Sequence, residues 1–190
     1  MPTYTSAMTT WLDWQKHYRL GVILVLPPEP VRSQINMLRA KYDPLSHKNV
    51  DAHISLTVPL QKEPNDHQWA DLERIASRFQ PFPISYGPLV PFLPRPGAAL
   101  DIQPQAHLDK LRLALEVSEV FLGAPPRRLP FWAHMTIAEF VSVEITEQLV
   151  DDLESKPDLT GSFVCDHISY VVPDEGFRFI EWRNLKLGSQ

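Results

Sequence analysis

A five-residue phrase occurs twice in this chain. Ala52-His53-Ile54-Ser55-Leu56 and Ala133-His134-Met135-Thr136-Ile137 both read Ala, His, apolar, hydroxyl, apolar, 81 residues apart. Each phrase occupies the second strand of a run that alternates strand, helix, strand, helix, so the chain reads as two related halves. Side chains two apart on a strand share a face. His53, Ser55 and Thr57 therefore share one face, while Ala52, Ile54 and Leu56 enter the core. In the second copy His134 and Thr136 share a face, and Ala133, Met135 and Ile137 point inward. Two lobes packed about a pseudo-two-fold axis would bring both imidazoles and both hydroxyls to one groove.

The remaining elements follow from periodicity and from proline. Leu20 to Leu26 reads as a buried strand stopped by Pro27 and Pro28. From Pro30 to Tyr42, Val31, Ile35 and Leu38 give a helical stripe with Arg32, Arg39 and Lys41 outside it. Val50–Leu60 is a strand, and Asn65 or Asp66 caps a helix whose inward residues are Trp69, Leu72, Ile75 and Phe79. Phe82–Phe92 is a Pro-interrupted edge strand and loop. Ala98–Ile102 is a strand, Gln105–Leu122 a helix, Phe131–Phe140 a strand and Glu144–Leu153 a helix. Strands near Ser162–Val172 and Phe177–Leu187 close the chain through a hairpin at Pro173–Gly176. The expected fold is α+β: two pseudo-symmetric β-α-β-α lobes with antiparallel-rich sheets facing a central cleft, helices outside. One domain would cover 1–190, with lobe 1 near 18–92, lobe 2 near 97–160 and closing strands over 161–188.

Composition removes several function classes. Eighteen Lys and Arg against 23 Asp and Glu leave a net charge of −5, which argues against an extended nucleic-acid surface. It leaves room for a small phosphate-bearing ligand held by a few local donors. The seven glycines are too scattered for a Walker loop or a dinucleotide turn, and one cysteine allows neither an internal disulfide nor a multi-cysteine zinc site. The first nineteen residues hold no apolar block, and Leu20–Leu26 is too short to span a bilayer. The expectation is a cytoplasmic protein without a membrane partner. With no coiled-coil heptad, a monomer is expected.

Other residues compete for a role. His167-Ile168-Ser169 also has His two before Ser, but it lacks the preceding Ala and the repeat position, so it reads as an ordinary strand segment. Arg95, Arg127 and Arg128 are candidates to meet a phosphate bidentately. Asp51 and Thr57 are candidates to support the first imidazole. Trp132, Phe92, Phe177 and Phe179 are candidate base-stacking surfaces.

The two H-x-[ST]-x motifs, one per lobe, resemble those of the 2H phosphoesterase superfamily, which includes the bacterial 2′-5′ RNA ligase-like and cyclic phosphodiesterase proteins. Arg19-Leu-Gly-Val-Ile-Leu-Val-Leu-Pro-Pro-Glu29 is similar to the family's opening strand, and Phe177–Leu187 to its closing strand, so the likeness covers about residues 18 to 188. One departure is Glu139-Phe140, where related ligase-like proteins often place a basic residue. The resemblance implies a cofactor-free, metal-independent phosphoesterase. Its substrate would be a small nucleotide or short RNA end carrying a 2′,3′-cyclic phosphate, opened to a 2′-phosphate.

In that chemistry His53 and His134 are the acid and base, and Ser55 and Thr136 hold the phosphate. The residue types suit these roles, because imidazoles titrate near neutrality and hydroxyls donate to oxygens that gain charge in the transition state. The sequence does not assign base and acid, with a lean toward His134 as base. Three alternatives stay open: 2′-5′ RNA end-joining by the reverse step, a non-catalytic nucleotide- or RNA-binding module, and a metalloprotein using both histidines. The last lacks a third ligand at recognisable spacing.

Overall fold

The computed structural model describes residues 2–92, 94–127, 129–153 and 159–188. In the first repeat, β1 (Val22–Val25) leads through α2 (Val31–Tyr42) and α3 (Pro44–Asn49) to β2 (Ile54–Ser55) and α4 (Asp66–Ala76). The second runs β4 (Gly97–Gln103), α5 (Gln105–Glu116), β5 (His134–Glu139), α6 (Val143–Leu153). A short α1 (Asp13–Lys16) precedes the first repeat, β3 (Phe82–Pro91) joins the two, and β6 (Gly161–Cys165), β7 (His167–Pro173) and β8 (Phe179–Lys186) close the chain. All strand pairings are antiparallel, in the order β6-β3-β4-β5-β2-β1-β7-β8.

The duplicated phrases lie at the centre of this order. β2 and β5 are neighbours joined at one register pair, Ile54 opposite Met135. On either side stand two four-stranded halves, β6-β3-β4-β5 and β2-β1-β7-β8, of one continuous sheet; the α+β, antiparallel architecture is the one expected, with β3 standing beside β4 and β6 rather than with the strands of the first repeat. The inward alternation is met residue by residue: Ala52, Ile54, Leu56, Ala133, Met135 and Ile137 are all fully buried. They join one core with Ile35 of α2, Leu72 of α4, Leu108 and Leu111 of α5, and Leu149 of α6. Burying these alternating apolar faces under the helices leaves the opposite face of the strands for the polar residues. Among the described residues no helix is long and apolar enough to cross a membrane.

Several elements differ from the sequence expectation. The run Ser162–Val172 is two strands, broken at Asp166, that pair at opposite ends of the order: β6 with β3, β7 with β1. Period-two alternation continues across such a break, so it does not reveal a change of neighbour. β3 is internal rather than an edge. A register shift between Tyr86 and Leu89 takes Gly87 and Pro88 out of its ladder with β4, which accommodates Pro88's missing amide hydrogen. The helix expected to reach Leu122 stops at Glu116; a 3₁₀ turn over Glu119–Phe121 follows, and Leu122 is exposed.

Gly21, entering β1, shows how tightly β1 meets β7. Its φ is +80°, and a Cβ there would lie 2.3 Å from the Val171 carbonyl oxygen. Gly21→Ala is expected to destabilise the fold by about 2 kcal/mol or more, because strain and a backbone clash coincide. Chemical denaturation reads this directly; an unchanged midpoint would contradict the packing described.

Candidate active site

The β2–β5 register builds the site. Ile54 opposite Met135 is the one register pair, and it is flanked by His53 and Ser55 in the first phrase and by His134 and Thr136 in the second, all on the face opposite the buried residues. Each imidazole therefore flanks the same register pair as the other copy's hydroxyl. The face continues outward, with Leu24 opposite Ser55 on one side and Ala99 and Asp101 opposite Thr136 and His134 on the other.

Both imidazoles are held the same way. His53 Nδ1 lies 2.7 Å from the Asp51 carbonyl oxygen, and His134 Nδ1 lies 2.8 Å from that of Trp132. A carbonyl only accepts, so Nδ1 carries the hydrogen and donates it. In the neutral ring that leaves the Nε2 lone pair unprotonated and available. The expected aid from Asp51 thus comes from its backbone; its carboxylate accepts from Asn36 instead. Nor does Thr57 face the groove. It is buried after β2 ends, and its hydroxyl accepts the Ile23 amide.

Beside His53 lies a residue that the sequence expectation placed on the outside of α2. Arg39 is only 2% exposed. Its guanidinium donates to the Thr136 carbonyl at 2.7 Å and to the Val50 carbonyl at 3.1 Å, filling the split where β2 and β5 part after one register pair. The signal is present in the helical spacing: Val31, Ile35, Arg39 and Tyr42 share one buried stripe. Arg39 makes no ion pair among the described residues; nearby Asp43 accepts the Ser46 and Glu139 amides.

Burial first, and the Arg39 charge second, push His53 down to about 4. The consequence for stability has a definite sign. An unfolded histidine protonates near 6.5, so as pH falls from there toward 4 the unfolded chain gains a proton that folded His53 refuses. Stability through this group is therefore fully present above pH 6.5 and lost on acidification, by up to about 3 kcal/mol. His53→Gln is expected to flatten that part of the stability curve, checked by urea midpoints at about pH 7 and about pH 4.5.

His134 has aromatic walls. Trp132 stacks on it at 4.6 Å and 25°, and Phe92 stands edge-on at 5.7 Å. The Trp132 indole is fixed by its Nε1 donating to Asp101 at 2.8 Å, and Gln103 donates to the other Asp101 oxygen. Asp101 is absent from the sequence-based candidates, since its position opposite His134 depends on strand register.

The arginine expectations divide. Arg127 donates to the Leu56 carbonyl and to Glu116, both at 2.8 Å, and lies over the Phe131 ring, so it is consumed inside the fold rather than offered to a phosphate. It lines a 430 Å³ pocket with Arg112 and Phe121, to which none of His53, Ser55, His134 and Thr136 contributes. Arg95 is exposed in the β3–β4 loop. Arg128 lies outside the described residues. His167 pairs with Asp166, and Ser169, separated from Ser55 by Leu24 of β1, donates to Glu181. Phe177 is buried among Trp11, Trp14 and Phe179, whereas Phe92 and Trp132 do reach the site. Among the described residues no three His, Cys, Asp or Glu side chains converge as metal ligands.

The fold is shared with known proteins. A family model described as the 2′-5′ RNA ligase superfamily matches residues 27–177. No curated protein matches the sequence significantly. Among solved structures, E. coli LigT complexed with 3′-AMP is 19% identical with a TM-score of 0.60, covering 88% of this chain and 97% of that one. TT0787 of Thermus thermophilus is 18% identical with a TM-score of 0.57, covering 89% and 98%. A structure described as a phosphoesterase is 18% identical with a TM-score of 0.58, covering 88% and 97%. At such identity the likeness is one of fold.

Proposed function

Because the chain belongs to the 2′-5′ RNA ligase superfamily, we propose that it opens 2′,3′-cyclic phosphates of nucleotides or short RNA ends to 2′-phosphates by two-histidine acid–base catalysis. The observation that carries this reading is the β2–β5 pairing, which sets two identically tethered imidazoles and two hydroxyls on one face. LigT structures with 3′-AMP, ATP and NADP+ support a nucleotide-sized, phosphate-bearing ligand.

In the forward step His53, neutral at physiological pH, takes a proton from the attacking water at Nε2. The new O–P bond forms as the bond from phosphorus to O3′ breaks, and protonated His134 delivers its Nε2 proton to that oxygen. Ser55 and Thr136 donate to the non-bridging oxygens as charge grows on them. This assigns the base to His53 and the acid to His134, the reverse of the lean drawn from sequence, because a depressed imidazole is the unprotonated one. A 5′-hydroxyl replacing water as the nucleophile in the same step, with the P–O3′ bond breaking as before, would join ends through a 2′-5′ linkage.

Turnover of all four 2′,3′-cyclic nucleotides and a cyclic-phosphate-ended oligoribonucleotide in excess EDTA, with the product phosphate located by chromatography, tests this reading. EDTA-resistant 2′-phosphate formation is expected. Consumption of a 5′-hydroxyl RNA end without hydrolysis would identify end-joining instead, and tight binding without turnover would identify a binding module.

A further inference from the structure

The second motif strand carries a carboxylate onto the phosphate face, and its placement depends on a bulge. Along β4 and β5, Asp101 faces His134, Leu100 faces Met135 and Ala99 faces Thr136, but the next pair is Ala98 with Ala138. Ile137 is the extra residue, and Ile137 and Ala138 are both fully buried. Two consecutive inward residues shift the alternation by one. Glu139, opposite Gly97, therefore returns to the face of His134 and Thr136 instead of pointing to the core. Without the bulge it would enter the apolar side.

The charge on that face is one-sided. From β1 through β2 and β5 to β4, its strand positions carry two imidazoles, two hydroxyls and the carboxylates of Asp101 and Glu139, with no lysine or arginine. Asp101 is occupied by Trp132, Gln103 and Gln105. The Glu139 carboxylate makes no hydrogen bond or ion pair among the described residues, and only its backbone amide is used, by Asp43. Burial pushes its carboxyl up, and Asp43 adds to the rise, against the pull of His134, then of Arg95 and of Arg39, which is already spent on the Thr136 and Val50 carbonyls; all of these charges act on it only at a distance. Arg127 is spent within the fold, and Arg95 sits on an exposed loop.

A 2′,3′-cyclic phosphodiester carries one negative charge, matched by the single proton that a two-imidazole site holds. A further phosphate would add charge with no cation on these strands to receive it. Glu139 stands roughly 7–10 Å along the strand from Thr136, within or near the screening length at physiological salt.

Resting on the phosphoesterase reading, we infer that Glu139 is a specificity-determining residue, and that the substrate is a cyclic phosphodiester whose remaining groups carry no second phosphate. The site thereby prefers nucleoside 2′,3′-cyclic monophosphates over 5′-phosphorylated nucleotides or RNA ends bearing the same cyclic group.

The experiment measures kcat/KM for cytidine 2′,3′-cyclic phosphate, its 5′-phosphorylated counterpart and a short oligoribonucleotide ending in the same group. It uses wild type, Glu139→Gln and Glu139→Lys at low and physiological salt, with thermal melts to confirm folding. Wild type is expected to favour the monophosphate by about tenfold or more, as a like charge at this range in a partly solvated groove implies. The ratio should shrink in Glu139→Gln, shrink further or invert in Glu139→Lys, and weaken with salt. Equal rates on all three substrates, or a ratio unchanged in folded Glu139→Lys, overturn this inference while leaving the phosphoesterase reading intact. Absence of turnover on every substrate overturns that reading, and this inference with it.

Discussion

Alanine at either His53 or His134 is expected to lower turnover of a 2′,3′-cyclic nucleotide by about 10³-fold, the middle of the range for a positioned acid or base. The double variant should lose little more than either single one, because two groups sharing one proton cycle act as a unit. KM should change much less, since Ser55 and Thr136 remain across the β2–β5 pair to hold the phosphate. The pH profile separates the roles. For wild type, kcat/KM should be bell-shaped, with its acid limb near 4, where His53 gains its proton. The residual activity of His53→Ala should lack that limb, and that of His134→Ala should keep it. Wild-type rates in either folded variant would remove the two-histidine mechanism.

Much of this site is legible in the sequence because it depends on alternation. A strand that buries Ala52, Ile54 and Leu56 has to present His53 and Ser55 to the other side, and the second phrase repeats the constraint. The resemblance between the halves then brings the two strands together. What stays hidden depends on pairing partners. Whether β6 and β7 form one strand is decided by what lies beside Asp166, which no local pattern encodes. The shift at Ile137–Ala138 is likewise a property of β4 and β5 together, and it decides where Glu139 points. Arg39 escapes the sequence reading for another reason. An arginine at a buried stripe position reads as exposed unless the strand split that needs its donors is known, and that split is a tertiary feature.

Arg39→Met should therefore have the second largest effect, on stability and pH dependence together. Methionine keeps much of the apolar stem and relieves the cost of burying a charge. It leaves the Thr136 and Val50 carbonyls without the donors they have now. Two under-satisfied buried acceptors outweigh the relief, and a net loss of about 2–4 kcal/mol is expected. Arg39→Lys keeps the charge and should recover part of it. The functional signature is separate from folding. Removing the guanidinium takes away the second-largest influence holding His53 down, so the acid limb of kcat/KM should move up from about 4 toward the ordinary histidine range. In Arg39→Lys it should stay closer to the wild-type position. A residue that only filled space would alter the melting temperature and leave the limb where it is. Denaturation midpoints and pH profiles of the two variants, measured where both are folded, distinguish these outcomes. An unmoved limb in Arg39→Met would confine Arg39 to holding the split closed, and unchanged stability would remove even that role.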